Sequence, residues 1–488
     1  MQNKLYVTYE DFGAVGDGKA DDFSAIVRAH EYATEMNLPV RARDGAKYYI
    51  SGKDLTAKIT TDTDFGTAEF IIDDTTPENV MANVFEVVSL YEAFNPALTS
   101  LSKDETVIDT GCGYPLFIRV FNENQRIFIR MGLNANGGVE ASDCITVDEC
   151  GRVTSSIDRD YPTITSCYAK RIDDKPITVR GGIFTTIANR YACESNYHYR
   201  GIYVYRANVT LLDITHYVIG EGETGAPYNH FIGGEDAVNL TLKNCLLTPH
   251  KVYTRPSDSD PTKTISMGTY DINFLACVNV TLDGVTQTRD IHNPVYWGLM
   301  GSNFCKNMII KNCSMSRFDA HMGVSGVRIT DCEFGHQRVS LIGYGDAYLE
   351  NVRATGFSFI YLRRDYGSFW CGSLTIKNCV WKIEATPKEK ELVIFYALNR
   401  GTHDFGYECA MPSSIVIDGL QIIDTDESAI GKPLFVLPDY DPQYAEGKPF
   451  AYRTPSNLIL KNITVESGRE LKLCSKPEQY PGITVKEA

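Results

Sequence analysis

Short segments in which apolar and polar residues alternate recur from Pro176 onward. Clear copies read Asn208-Val-Thr-Leu-Leu-Asp213, Asn239-Leu-Thr-Leu-Lys-Asn244 and Asn307-Met-Ile-Ile-Lys-Asn312. This alternation predicts a short strand with one buried face, and the Asn or Asp at its end favours a turn. Each copy therefore predicts one strand followed by one corner.

The spacing of these copies excludes several common folds. Copies that begin at positions 307 and 326 lie 19 residues apart, which leaves little room for the crossover helix of a doubly wound α/β fold. A β-sandwich would show hairpin turns instead. Short coils with loops of variable length are typical of a parallel β-helix.

Equivalent positions of stacked coils lie on top of one another. Residues that recur in the repeat are therefore predicted to form continuous columns of side chains, which we call files. One predicted interior file of small apolar side chains consists of Cys245, Cys313, Cys332 and Cys379. Free Cys is among the most buried residue types, which favours core packing over metal or redox chemistry. A hydrogen-bonded ladder at a turn is predicted for the preceding residues Asn244, Asn312 and Asn378.

The repeat is absent between about positions 73 and 174. Alternating residues 116–121 and 126–130 flank a polar stretch at 122–125 and predict a hairpin. The chain is therefore predicted to contain an N-terminal cap with the first coils at 1–72, an antiparallel β insertion at 73–174, and coils with loop insertions at 175–488. The insertion could shape a substrate cleft or an oligomer contact.

The N-terminal segment predicts a capping helix. Residues 12–18 are rich in glycine but lack the spacing of a phosphate-binding loop. Apolar residues from Ile26 recur at helical spacing, and either Asp21 or Asp22 is placed to cap a helix that ends near Met36.

Composition restricts the class of partner. The 488 residues include 47 Lys and Arg against 62 Asp and Glu, and the net charge of −15 disfavours nucleic acid and anionic membranes as partners. No apolar run approaches the ~18 residues of a membrane span, and residues 1–9 lack an apolar signal core. With 14 Cys read mostly as buried thiols, a cytoplasmic location is expected, or secretion if a signal peptide has been removed.

The N-terminal motif resembles that of a known superfamily. Asp11-Phe-Gly-Ala-Val-Gly-Asp-Gly-Lys-Ala-Asp-Asp22, followed by Ser24-Ala-Ile26, is similar to the opening of the pectate-lyase-like superfamily. That group includes polygalacturonase-type glycoside hydrolases, polysaccharide lyases and phage tailspike depolymerases. The resemblance implies an all-β, right-handed parallel β-helix that cleaves glycosidic bonds in a poly- or oligosaccharide. We assign no cofactor and no metal, and the oligomeric state is left open.

A packed interior places the substrate on the outer face of several coils. Strand alternation puts Asp319 and His321 together on that face, with Ala320 turned inward. The two side chains could share proton transfer, and the rings of Tyr296 and Trp297 one coil earlier could stack on a sugar. A solvated Asp and His on an ordinary surface strand is the alternative.

The central coils also resemble the polygalacturonase-type hydrolases, which place an Asp pair, a Gly-His-Gly segment and an Arg-x-Lys segment on three successive coils. Residues 316–321, 334–345 and 361–364 follow the same order. The chain departs from the pattern because it has a single Asp at 319 and Gln337 after His336. The location of the groove carries over, whereas the standard mechanism does not.

These residues are compatible with three functions, of which we favour a glycoside hydrolase, with inversion preferred, over a polysaccharide lyase. A hydrolase could use Asp319 with Asp271 two coils away, and two coils of ~4.8 Å each approach the upper limit of the inverting separation. A lyase acting on uronic acids could use a cation and a base. The third function is a non-catalytic glycan-binding adhesin or tailspike shaft. The candidate catalytic residues are Asp319, His321, Asp271 and His336, and the candidate substrate-binding residues are Trp297, Tyr296, Arg289, Arg363, Arg364 and Tyr361.

Overall fold

The computed structural model describes residues 5–298, 300–439 and 448–487, most of which wind into one stack of parallel coils. Strands of neighbouring coils pair in parallel, as where Leu240 lies opposite Val280 and Val280 opposite Met308. The predicted all-β parallel β-helix is therefore confirmed. Within the described ranges, no helix is both long and apolar enough to span a bilayer.

Each coil contributes strands to three faces. The first face contains Val7–Thr8, Val40–Arg41, Val209–Leu212, Val238–Lys243, Val278–Asp283, Gly343–Glu350 and Thr484–Glu487. The second contains Asp17–Asp21, Lys47–Ile50, Thr215–Ile219, Leu246–Leu247, Thr286–Gln287 and Arg353–Gly356. The third contains Ala57–Ile59, Phe85–Val87, Ile202–Val204, Ile232–Glu235, Ile272–Leu275, Ser358–Leu362, Leu392–Tyr396 and Leu434–Phe435. Strands that turn a corner between faces are Thr63–Asp73, Ile177–Ile187, Met300–Lys311, Ser314–Thr330, Glu333–Leu341, Trp370–Ile383, Ser414–Ile423 and Asn457–Val465.

The core consists of continuous files of apolar side chains. One file on the first face runs through Leu240, Val280, Met308, Val327, Ala347, Leu374, Ile415 and Leu458, all of them buried. Full burial of an aliphatic side chain of this kind stabilises by roughly 1.5–3 kcal/mol. The predicted interior positions of Cys245, Cys313, Cys332 and Cys379 are confirmed, and all 14 cysteines are free thiols.

An asparagine ladder fixes the corner that precedes the first face. The Nδ2 group of Asn239 donates to Asn208 at 2.8 Å, Asn279 donates to Asn239 at 2.9 Å, and Asn307 donates to Asn279 at 3.0 Å. All four residues have left-handed φ angles, which Asn tolerates better than most residues. The first Asn of these four repeats therefore forms the ladder.

The ladder predicted for Asn244, Asn312 and Asn378 is wrong. These residues do have left-handed φ angles at the opposite corner, but other coils lie between them. Asn312 consequently donates to Asp283, at 2.9 Å.

The corners differ in how much extra chain they hold. Between residues 202 and 343 the passage from the third to the first face is short, as from Glu235 to Val238, whereas residues 397–413 lengthen it in a later coil. The passage from the second to the third face holds long loops, namely residues 220–231, 248–271 and 288–298. Loop length therefore varies at both corners that border the third face.

The predicted helix is present at Phe23–Met36, and its residues Ile26, Ala29 and Ala33 are buried against the first coils. Of the two predicted caps, Asp21 accepts from the backbone N–H of Phe23 at 3.2 Å, whereas the side-chain cap is wrong for Asp22, which occupies the N-cap position. Its carboxylate instead accepts from the backbone N–H groups of Val15 and Gly16, at 2.6 and 3.1 Å.

The insertion is a three-stranded antiparallel sheet formed by Leu116–Ile127, Val139–Val147 and Ser166–Arg171. The hairpin predicted at 122–125 is wrong, because the chain continues there as one strand with a bulge opposite Val139–Val147. The coil strand Phe85–Val87 pairs with Ile202–Val204, so the coils extend into the range assigned to the insertion.

A buried cation holds the insertion against the coils. Lys306 Nζ lies 2.5 Å from Asp143 and 3.2 Å from Asp158, and the side chains of Lys306 and Asp143 are only 2% and 4% exposed. Burial alone would lower the pKa of Lys306, but the two carboxylates outweigh it and hold that pKa above its ordinary value. Lys306 is therefore a charged link between the two parts of the molecule.

We expect Lys306→Met to lower the free energy of unfolding by about 3–5 kcal/mol, because two buried carboxylates lose their cation. Limited proteolysis should then cut faster within residues 88–165. The matched control is Lys311→Met on the same strand, which removes a 42% exposed lysine from Asp283 and should leave the digestion rate unchanged. Equal proteolysis of the two variants would contradict the role given to Lys306.

Candidate functional site

Successive coils place one outward-facing residue each at an equivalent position of the third face. These residues alternate with core residues such as Phe318 and Ala320, so they face away from the interior. In chain order this outer file contains Glu86, Tyr203, Gly233, Asn273, Gly301, Asp319, Ser340, Tyr361 and Tyr396. The file confirms that Asp319 lies on the outer side of its strand.

Asp319 is nevertheless fully covered by long side chains. Its carboxylate accepts from Tyr270 Oη at 2.7 Å and lies 2.6 Å from Arg317 and 2.8 Å from Arg363. Burial would raise the pKa of Asp319, but the two guanidinium groups hold it well below its ordinary value. Asp319 therefore stays ionised and carries no proton to donate, and the expectation that it is accessible is wrong.

Asp319 belongs to a larger group of charges that we call the arginine cluster, formed by Arg130, Arg317, Asp319, Arg363 and Asp365. Asp365 lies 2.8 Å from Arg363 and 2.8 Å from Arg130, which is contributed by the insertion. Burial opposes ionisation of Asp365, but the attraction of Arg363 and Arg130 lowers its pKa to about 2. Three cations therefore face two anions, and the cluster reaches solvent at Arg130 and Asp365, whose side chains are about one-fifth exposed.

His321 lies beside this cluster at an irregular point of the strand. The pairing between Met300–Lys311 and Ser314–Thr330 shifts register there, and His321 Nδ1 lies 3.1 Å from Asn303 Oδ1. Asn303 in turn donates to Asn273 at 3.1 Å. Burial, followed by the nearby Arg363, lowers the pKa of His321 to about 3. The imidazole is therefore neutral at ordinary pH, and its Nε2 makes no hydrogen bond within the described chain.

Asp271 belongs to a different buried network. Its carboxylate lies 3.2 Å from His216 Nδ1 and 3.7 Å from His250 Nε2, and it accepts from the Thr248 backbone N–H at 2.9 Å. Because Asp271 and Asp319 are both fully buried in separate networks, no sugar can lie between them, and the predicted inverting pair is wrong. In the described ranges, no three His, Cys, Asp or Glu side chains are arranged to hold a metal ion.

The structure brings Trp297 to the arginine cluster but separates Tyr296 and Arg289 from it. The guanidinium carbon of Arg317 lies 4.8 Å from the centre of the Trp297 ring. Arg289 instead lies over the Tyr296 ring at 4.2 Å and pairs with Glu221 at 2.8 Å.

Three further residues of the predicted site, His336, Tyr361 and Arg364, lie on neighbouring coils. His336 places Nδ1 3.0 Å from the carbonyl oxygen of Ile291. Tyr361 stacks on Tyr396 with ring centres 5.4 Å apart, and Arg364 is exposed beside this pair.

Arg130 is the residue of the cluster that sequence reasoning could not find, because it lies 235 positions before Asp365 and outside the repeat. A separate cleft of about 630 Å³ was missed as well, since the loops around it carry no repeat phrase. Its lining includes Arg126, Asp404, Glu408, Phe450 and Arg453. None of the predicted site residues contributes to that cleft.

Comparisons with known proteins support the fold. No model of a known protein family matches the chain. A capsule depolymerase specific for KL64, from Klebsiella phage P510, is 30% identical over 105 residues, which cover 19% of this chain and only 10% of that protein.

Solved tailspikes match over almost the whole chain. The gp61 tailspike of Pseudomonas phage phi297 matches with a TM-score of 0.57 at 11% identity, covering 99% of this chain and 84% of that one. The gp54 tailspike of Acinetobacter baumannii bacteriophage AP22, solved with A. baumannii capsular saccharide, matches with a TM-score of 0.54 at 10% identity, covering 99% and 79%. These neighbours are right-handed parallel β-helices of the pectate-lyase-like superfamily, which confirms the fold that the N-terminal motif implied.

We expect Asp319→Asn to lower the free energy of unfolding by about 3–5 kcal/mol, because Arg317 and Arg363 lose a buried counter-charge. Denaturant titration measures this change. Glu350→Gln, on the exposed pair with Lys377, is the matched control and should have little effect. If both variants unfold at the same denaturant concentration, Asp319 is not the anchor described above.

Stability should also fall in acid. The lowered pKa values of Asp319 and Asp365 mean that the folded state binds fewer protons than the unfolded state. This contribution is complete above the ordinary carboxyl pKa of ~4 and is lost as the pH falls from there toward 2. Denaturant midpoints measured between pH 6 and pH 2.5 should show a smaller loss in Asp365→Asn than in the unaltered protein.

Proposed function

We propose that the protein cleaves glycosidic bonds in a polysaccharide that lies along the third face of the central coils. The observation that carries this proposal is the neutral imidazole of His321 beside the partly exposed arginine cluster. A base and fixed cations at one place on an outer face can act on a bound sugar chain. The matched depolymerase of phage P510 and the AP22 tailspike solved with capsular saccharide support a capsular or related polysaccharide as the substrate class.

The protonation states of the cluster favour elimination over hydrolysis. A hydrolase needs a protonated carboxylic acid to assist the leaving oxygen. Both carboxyl groups of the cluster, Asp319 and Asp365, have lowered pKa values and hold no proton at neutral pH. The preference for hydrolysis drawn from the sequence therefore lacks an acid at this place.

Elimination requires the groups that the cluster does contain. Arg130 or Arg363 would neutralise the carboxylate of a uronic acid, which makes the proton on the adjacent carbon easier to remove. The Nε2 atom of His321 would accept that proton, the electron pair would form a carbon–carbon double bond, and the glycosidic carbon–oxygen bond would break. The departing oxygen would take its proton from water. We therefore propose β-elimination at a uronate residue.

Hydrolysis is the second candidate, and Glu235 favours it. This residue lies on the third face two coils before Asn303, near Tyr203 and Tyr205. Burial, followed by the charge of Asp236, raises the pKa of Glu235, as a general acid requires. A hydrolase reaction would therefore be centred on Glu235.

Mass spectrometry of products from a panel of acidic and neutral polysaccharides tests these functions. Elimination yields an unsaturated uronide that absorbs ultraviolet light and is lighter by one water than the hydrolysis product. Hydrolysis yields saturated reducing ends only. Binding of a polysaccharide without any shortening would identify a glycan-binding protein and contradict the proposed cleavage.

We expect His321→Gln to slow cleavage by about 10²–10⁴-fold with little change in stability, because the amide cannot accept the proton. His30→Gln is the matched control, since burial also lowers the pKa of His30 to about 3, but His30 lies in the helix Phe23–Met36, where it contacts Tyr9 Oη. Because the pKa of His321 is about 3, its base form should persist from pH 8 down to pH 5. Equal initial rates of the two variants would contradict the role of His321.

A further inference from the structure

Unpaired polar side chains are concentrated next to the arginine cluster, between the loop at 288–298 and the following two coils. The atoms concerned are buried and have no hydrogen-bond partner among the described residues. They are Arg317 Nε and Nη1, Arg338 Nε, His336 Nε2, His292 Nδ1, Ser316 Oγ and Trp297 Nε1. We call these six residues the donor cluster. Buried polar atoms are nearly always hydrogen-bonded, so such a concentration indicates a ligand site.

The members of the donor cluster are held close together by the coils. Arg317 and Arg338 lie opposite each other on adjacent coils, and Arg317 also covers the Trp297 ring. The pKa of His336 is lowered first by burial, but also by the charges of Arg317 and Arg338. Two cations and the neutral donors of Trp297 and Ser316 therefore share one region. The neutral His336 ring donates through Nδ1 to the Ile291 carbonyl oxygen, so its Nε2 is an acceptor.

Arg338 is the member without a counter-charge. Its guanidinium carbon lies 4.2 Å from the centre of the Phe357 ring and 5.8 Å from that of Tyr361. Within the described chain, no carboxylate lies at ion-pair distance from Arg338. Burial lowers its pKa only to about 10, so it remains a cation at neutral pH. A half-buried, unpaired cation of this kind favours an external anion.

Arg317 has donor capacity left as well. One of its terminal nitrogens binds Asp319, which Arg363 and Tyr270 also contact. Its other two nitrogens are unpaired, and its side chain is 6% exposed. A carboxylate matches the planar fork of a guanidinium group in shape and charge.

We propose that the donor cluster binds a carboxylate carried by the polysaccharide, in a subsite distinct from the position of the reacting sugar at His321. The carboxylate could belong to a uronic acid of the main chain or to an acidic substituent on a neighbouring sugar. The net charge of −15 repels acidic polymers at long range, so capture of one requires a local site with unpaired cations. The rings of Phe357 and Tyr361 beside Arg338 provide a surface on which a sugar ring can lie.

This inference rests on the proposed function for the identity of the polymer, but its test does not require cleavage. Nuclear magnetic resonance titration with methyl β-D-glucuronide and with methyl β-D-glucoside compares the same ring with and without a carboxylate. The unaltered protein should bind the glucuronide about tenfold more tightly or better. Equal affinities for the two glycosides would overturn the proposal.

Arg338→Met is the decisive variant, because methionine keeps an apolar contact with Phe357 and removes the cation. It should lose the preference for the glucuronide, and it should melt no lower than the unaltered protein, since an unpaired half-buried charge is removed. Arg328→Met is the matched control, because Arg328 also covers an aromatic ring, Tyr348 at 4.1 Å, but faces Glu350. An undiminished preference in Arg338→Met would place the carboxylate elsewhere and overturn the proposal.

The outcomes separate this inference from the proposed function. Glucuronide binding that depends on Arg338, without cleavage of any polysaccharide, would contradict cleavage alone. Cleavage restricted to neutral polysaccharides would contradict the carboxylate subsite and β-elimination, but not glycosidic cleavage itself. On an acidic substrate that is cleaved, Arg338→Met should raise KM about tenfold with little change in kcat, because Arg338 does not contact the reacting atoms. A lower kcat at unchanged KM would contradict a binding role.

Discussion

The stacking of equivalent positions in parallel coils is the constraint on which the rest of the molecule depends. Each coil hydrogen-bonds to the next through its backbone, so the file from Leu240 to Leu458 is a single apolar column built from segments distant in the sequence. Because this column fills the interior, every functional side chain must lie outside it. The same register that builds the core therefore also aligns Asn273, Asp319 and Tyr361 on the outer face.

Charged residues on that outer face are organised by mutual neutralisation. Asp319 sits at the centre because Arg317 and Arg363 close over it, and Asp365 extends the series to Arg130 of the insertion. The insertion is thus part of the site as well as a cover for the coils, and Lys306 fixes its position. The resulting region has more positive than negative groups, although the chain as a whole is acidic.

The repeat was sufficient to predict the fold, because alternation and spacing are local properties that survive in one sequence. It also placed Asp319 and His321 on the outer side of one strand and aligned the Cys file correctly. Exposure could not be predicted, since Asp319 is covered by residues from other coils. The predicted pairing of Asp271 with Asp319 was wrong. The register of the paired strands aligns Asn273 with Asp319 in the outer file, and Asp271 lies two residues before Asn273. No local pattern marks Arg130 as a partner of Asp365, which lies 235 positions away.

Variable loop length beside the third face bears on how such a protein can diversify. The turns fixed by the asparagine ladder are short, whereas the second-to-third corner holds longer loops at residues 220–231, 248–271 and 288–298. A change in one of those segments alters the surface beside the third face, while the coils beneath keep their pairing. Changes in surface chemistry can then arise in these segments alone, and the scaffold stays unchanged.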